Sequence, residues 1–210
     1  MSENKLIAIT FDDGPNTATT PLVLDLLEKN HAVGTFFLMG SNINEKTIPV
    51  VKRAVSIGCG IGNHSYSHPS MDKLSVDEIK EEISRTEELI RGITGEGSVF
   101  FRPPFFATSD IMFDTIDMCF ITGLGCRDWE KEVTDKERVR MVMDNACDGA
   151  IILLHDQPDN YPTVRALEEL LPLLAEQGYS FVSVPELFRR KGVDPKAASS
   201  RNRVFSVVEG

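Results

Sequence analysis

Short apolar runs alternate with longer amphipathic stretches along the 210-residue chain. The runs Leu6–Phe11, Gly34–Leu38, Ile61–Asn63, Val99–Phe101, Phe120–Leu124, Ala150–Leu154 and Ser180–Val182 predict strands, each followed by a helix-like or turn-rich segment. Ser75–Arg91 predicts a helix: Val76, Ile79, Ile83 and Ile90 recur at near-helical spacing, and Ser75 with Glu78 makes a capping-box pair. Thr163–Gln177 predicts another, with Leu167, Leu170, Leu171 and Leu174 inward, Gly178 as its stop and Pro172 marking a kink. Strand–helix alternation implies parallel strands joined by crossovers, hence an α/β sheet or closed barrel. Seven strands favour a barrel of seven strand–helix repeats, imperfectly closed. The last stretch, Gly192–Gly210, is polar and then briefly apolar at Val204–Val208, which predicts a tail packing back on the body.

Length and composition then narrow the partners. A chain of this size holds one sizeable core and not two comfortable domains. Its 32 acidic and 22 basic side chains leave a formal charge of -10, which repels phosphate backbones and disfavours nucleic acid. Cys59, Cys119, Cys126 and Cys147 form no C-x-x-C pair, so small buried core residues are expected and not a disulfide framework or zinc ribbon. MSENKLIAITFDDGP lacks a signal-peptide apolar region, and no segment approaches the roughly 20 apolar residues of a membrane span. The expectation is a soluble chain, cytoplasmic as written and extracytoplasmic if an export segment has been removed. Its oligomeric state is not legible.

Five polar clusters stand where predicted strands end, the edge at which reactive side chains converge in barrels and parallel sheets. In Thr10-Phe11-Asp12-Asp13-Gly14-Pro15, two adjacent carboxylates are expected to point in different directions, because strand side chains alternate. One can bind a metal while its neighbour works as a base. In His64-Ser65-Tyr66-Ser67-His68, two imidazoles four apart are expected to meet on one helical turn and grip one cation. Phe101-Arg102-Pro103-Pro104-Phe105-Phe106 is stiffened by its prolines. It offers the Phe105 N–H to an oxyanion and Arg102 as a carboxylate holder. Arg127-Asp128-Trp129 carries the only tryptophan, a face on which a sugar ring stacks or a simple core residue. Ile151-Ile152-Leu153-Leu154-His155-Asp156 delivers His155, a candidate general acid, to a strand end. His31 reads as an ordinary exposed residue.

In their order TFDDGP, HSYSH, RPPF, RDW and LLHD, from residue 6 to about 190, the clusters resemble the polysaccharide deacetylase (NodB-homology) family of carbohydrate esterases. The resemblance implies a distorted (β/α)7 barrel of mainly parallel strands, with residues 1–191 as the catalytic domain and 192–210 as the tail. It implies hydrolysis of an N-acetyl, less often an O-acetyl, group on a glycan or oligosaccharide. Asp13, His64 and His68 would hold one divalent metal: zinc or cobalt suit the ligands, and nickel or manganese are compatible. Asp12 would be the base, tuned by Arg102, with Asp128 tethering that arginine. His155 would be the acid, Leu153 would line the acetyl pocket, and Phe105 and Trp129 would contact substrate. Two positions depart from the family pattern. Phe106 follows Phe105 where glycine is common, and Gly125 stands where aspartate is common. A small non-sugar amide as substrate, or a carbohydrate-binding pseudoenzyme, are the rival readings.

Overall fold

The computed structural model describes residues 5–198 and 204–210. The first four residues of the N-terminal stretch, and residues 199–203 of the expected tail, lie outside the described residues. In chain order the elements are β1 (Lys5–Asp12), α1 (Thr20–Lys29), β2 (Gly34–Leu38), α2 (Ile48–Ser56), β3 (Gly60–Asn63) and α3 (Val76–Thr94). They continue with β4 (Phe100–Phe101), α4 (Asp110–Thr115), β5 (Cys119–Ile121), β6 (Leu124–Gly125), α5 (Asp135–Asn145) and β7 (Ala150–His155). Last come α6 (Tyr161–Glu176), β8 (Tyr179–Phe181), α7 (Val184–Arg190), α8 (Pro195–Ala198) and β9 (Val204–Phe205).

The strands form one curled sheet in the order β6-β7-β1-β2-β3-β4-β5-β9, with β8 against the first half of β1. Every strand pair is parallel, as crossover helices require, so the architecture is a distorted, incompletely closed (β/α) barrel. β1 is central and buried on both faces, which is why KLIAITFD reads as an almost unbroken apolar run. α3 is set by the expected capping box of Ser75 and Glu78 and ends on Gly95 in the left-handed region. α6 begins beside Pro162, carries Pro172 within it, and buries Leu167, Leu170, Leu171 and Leu174 completely.

The run Phe120–Leu124, expected as one strand, is two. β5 ends at Ile121 and pairs with β4 and β9, whereas β6 begins at Leu124 and pairs with β7. Between them the Thr122 N–H donates to the Phe205 carbonyl and the Thr122 carbonyl turns to accept from Arg102. Gly123 presses so close to β7 that a Cβ there would lie 2.8 Å from Leu153 Cβ. This split makes the seven expected strands eight, and β9 from the C-terminal stretch brings the total to nine among the described residues.

The C-terminal stretch enters the sheet. β9 runs parallel to β5, Val207 bridges Ala150 in antiparallel sense, and Val208 is wholly buried. Gly149 makes this approach possible: its φ is +87°, and a Cβ would sit 2.1 Å from the Val208 carbonyl oxygen.

Candidate active site

Strand ends at the C-terminal edge of β1, β3, β4, β6 and β7 feed five loops into one hollow of about 400 Å³. Several loop residues adopt φ values that disfavour a side chain. Asp13, Ser65, His68, Phe105, Phe106 and Arg127 are all left-handed, and among the described non-glycine residues only His31 shares this away from the site. Such conformations persist where surrounding contacts over-determine them, and they mark this edge as built for placement and not for stability.

Asp13 Oδ1 lies 3.4 Å from His64 Nε2 and 3.4 Å from His68 Nε2. His64 Nδ1 is 2.7 Å from the Arg102 carbonyl, so Nδ1 carries a proton and Nε2 is the nitrogen that faces Asp13. Burial and the neighbouring His64 hold the His68 pKa below its usual value, which favours the neutral, ligating form. Burial alone would raise Asp13, but its contacts with His64, the charge of His155 and the Gln157 bond hold it well below the usual carboxylate range. Asp13 Oδ1 is buried with no hydrogen-bond partner. An orphaned carboxylate oxygen between two imidazole nitrogens fits a cation: donors about 2.1 Å from one zinc-like ion stand at comparable separations.

Two expectations change here. His64 and His68 do not share a helical turn. β3 runs straight into a loop with Ser65 and His68 left-handed, and side chains replace the helical bonds. Asn63 Oδ1 accepts from the Ser65 N–H, Ser65 Oγ accepts from the His68 N–H, and Glu82 on α3 accepts from the N–H groups of Tyr66 and Ser67. Nor do Asp12 and Asp13 diverge. Asp13 leaves the strand with φ +70°, so Asp12 Oδ2 and Asp13 Oδ1 lie 3.8 and 3.4 Å from the same His64 Nε2.

Asp12 is 2% exposed and is aimed by Arg102, which is fully buried. Arg102 Nη1 donates to Asp12 Oδ1 at 2.6 Å and to Thr10 Oγ1 at 2.8 Å, and Nη2 donates to the Thr122 carbonyl. The guanidinium stacks 4.1 Å over the Phe37 ring. One carboxylate oxygen is thereby held, and Oδ2 is left facing His64 beside Asp13.

Asp128 does not tether Arg102. Its Oδ1 is 2.8 Å from His155 Nδ1, and its Oδ2 accepts from the His155 N–H at 2.7 Å. The reason is topological: β6 pairs with β7, not with β4, so the loop after β6 lands beside His155. Burial alone would lower the His155 pKa. The hydrogen bond and charge of Asp128, with Asp12 and Asp13 nearby, raise it to about 9. His155 Nδ1 is thus occupied, and its other nitrogen faces the hollow that the ring lines.

Phe105, Phe106 and Trp129 form an aromatic rim, 69%, 40% and 48% exposed. The Phe105 ring stands edge-on to His68 at 4.6 Å, and Trp129 stands edge-on to His155 at 5.5 Å. Leu153, expected in an acetyl pocket, does not line the hollow. It is 1% exposed because β6 covers it, Gly125 pairing with it directly. A Cβ at Gly125 would meet Leu153 at 3.4 Å and the Trp129 ring at 3.6 Å, so the departure at Gly125 is where the tryptophan rests. Gln157, which donates to Asp13 Oδ2 at 2.5 Å, was not anticipated, although it follows LLHD directly. His31 is exposed, and burial pushes the Cys59 and Cys126 thiols up to about 11 and 12, which keeps them inert.

The family model for polysaccharide deacetylase matches residues 2–118. The chain is 46% identical over 191 residues to a bifunctional xylanase/deacetylase of Pseudobutyrivibrio xylanivorans, an alignment covering 91% of this chain and 32% of that protein. It therefore spans about a third of that relative's length. A peptidoglycan-N-acetylglucosamine deacetylase of Bacillus cereus is 34% identical over 191 residues, covering 87% of this chain and 68% of that one. Among solved structures, a family 4 acetyl xylan esterase from Clostridium thermocellum, in complex with a cobalt ion, superposes with a TM-score of 0.93 at 40% identity, covering 97% and 99% of the two chains.

Proposed function

Because the chain belongs to the polysaccharide deacetylase family, we propose that it is a metal-dependent hydrolase that removes acetyl groups from a glycan. The observation that carries this is the arrangement around one hollow: Asp13, His64 and His68 converging on a single point, Asp12 Oδ2 beside them, and the imidazole of His155 on the rim. A divalent cation held by Asp13, His64 and His68 supplies water acidification and carbonyl polarisation when bound. Asp12 takes the proton of the attacking water through Oδ2, while Arg102 holds Oδ1. The Phe105 N–H is assigned to the developing oxyanion. His155, kept protonated by Asp128, gives its proton to the departing oxygen or nitrogen as the acyl bond breaks, and acetate is the other product.

The aromatic rim of Phe105, Phe106 and Trp129 suits the apolar faces of sugar rings. The likeness to a xylanase/deacetylase and to an acetyl xylan esterase favours an O-acetyl ester on a xylan-type chain. An N-acetylated glycan is the second reading. It is favoured by the peptidoglycan deacetylase likeness and by His155, an acid strong enough in supply at neutrality to protonate an amine. Acetate release from acetylated xylan and from chitooligosaccharides, with and without chelator, tests both. Release is expected from at least one glycan, lost with chelator and restored by zinc or cobalt. Tight sugar binding without acetate would establish a binding protein instead, and cleavage confined to small amides would remove the glycan.

A pH profile adds a sharper expectation. His155 acts in its protonated form, so kcat should hold through neutrality and fall as pH rises through about 9. Asp128→Asn removes the charge that opposes burial, so the same limb should move to lower pH. A limb that stays in place in this variant would separate Asp128 from the acid.

A further inference from the structure

Arg138 on α5 is 1% exposed and makes no ion pair among the described residues. A buried cation without a compensating charge is costly, so where its contacts lead is informative. Nη1 donates to Asn160 Oδ1 at 2.6 Å and to Thr163 Oγ1 at 2.7 Å. Each of these side chains contacts the same carboxylate: Thr163 Oγ1 lies 2.8 Å and Asn160 Nδ2 3.3 Å from Asp128 Oδ2. The anion that balances Arg138 is therefore Asp128, one residue removed.

This relay has a direction. A hydroxyl oxygen that accepts from a guanidinium must point its own proton elsewhere, and Thr163 has only Asp128 Oδ2 to receive it. An amide oxygen that accepts from Arg138 leaves its nitrogen toward Asp128 and the His155 carbonyl. Arginine offers donors alone, so neither side chain can reverse while Arg138 is in place. Every contact on Asp128 Oδ2 is then a donor, and Oδ1 is left to His155 Nδ1.

We propose that Arg138 is a positioning residue that, through Thr163 and Asn160, locks Asp128 and so keeps His155 aimed into the hollow as proton donor. The proposal rests on the reading of His155 as the acid. Arg138 also donates to the carbonyls of Val133 and Glu130, just beyond Trp129. The competing role is accordingly a plain loop staple, and the two roles differ in which substrates suffer.

A displaced proton donor matters for a poor leaving group and little for a phenolate, whereas a disordered loop harms every substrate. The experiment compares kcat of the metal-loaded full chain on an acetylated oligosaccharide and on 4-nitrophenyl acetate. The variants are Thr163→Val, Thr163→Ser and Arg138→Met, each checked for folding by thermal unfolding. Thr163→Val nearly conserves shape, so it keeps the question open if Arg138→Met fails to fold. The glycan rate should fall about tenfold further than the aryl ester rate in Thr163→Val and Arg138→Met, and Thr163→Ser should restore the ratio. Equal losses on both substrates, or no loss on either, would overturn the positioning role. A wild-type chain that cleaves the aryl ester and no acetylated glycan would overturn the glycan reading instead. Ethyl acetate then replaces the sugar as the poor leaving group, and the same ratio still decides on Arg138.

Discussion

Replacing Asp13 with alanine should reduce zinc affinity by roughly 100-fold or more, a larger loss than outer ligand-shell changes usually produce. Asp13 is the one anionic member of the set, and its Oδ1 faces both His64 Nε2 and His68 Nε2 at 3.4 Å. No protein hydrogen bond satisfies that buried oxygen. Its environment is completed by a cation or left costly, which ties metal binding to stability by mass action. Isothermal titration with zinc measures the affinity, and thermal unfolding with and without zinc measures the linkage. The wild-type chain should gain stability on zinc addition and the Asp13→Ala chain should not. His64→Ala should act in the same direction. A wild-type affinity in either variant would move the metal elsewhere.

Asp12→Asn should do the opposite: keep the metal and lose turnover, by roughly 10²–10⁴-fold in kcat. Asparagine preserves the shape and, through its oxygen, a bond from Arg102, but it cannot take a proton from water. The same change leaves a fully buried guanidinium without its counter-ion, since Arg102 Nη1 pairs with Asp12 Oδ1 at 2.6 Å. Breaking such a pair from one side costs about 3–5 kcal/mol, so denaturant unfolding must accompany the kinetics. Retained metal with lost rate separates base from ligand. A near-wild-type rate in a folded, metal-loaded variant would remove Asp12 from the chemistry.

The two variants together distinguish adjacent carboxylates that look alike in TFDDGP. What separates them is one backbone angle and one distant arginine. Asp12 still belongs to the strand and points one oxygen at Arg102, 90 residues away in the chain. Asp13 has already turned left-handed and joins the histidines. The arginine is remote from the pair, and the turn at Asp13 is held by contacts that the pair does not itself encode.

The amino-acid sequence by itself determined the α/β class, the parallel strands and the candidate reactive groups. Strand and helix periodicities are short-range properties, and strand ends in such folds collect reactive side chains whatever joins them. It also offered the candidate metal ligands, because His64, His68 and one carboxylate of Asp12-Asp13 are ligand types; which carboxylate joins the histidines came only with the family resemblance and the backbone turn at Asp13. Pairings across the fold were settled only by the tertiary structure. Asp128 turned from Arg102 to His155 because β6 pairs with β7. Leu153 went under β6, and Phe120–Leu124 broke where Thr122 gave its carbonyl to Arg102. The histidine loop took its shape from Glu82 on a helix with no motif pointing to it. No motif touches Arg138, yet Asn160 and Thr163, beyond β7 in the chain, make it a buried partner of the site. Each of these is a hydrogen bond or pairing between segments far apart in the chain, formed once the strands curl. Residue types therefore named the chemistry, and the curl of the sheet assigned the partners.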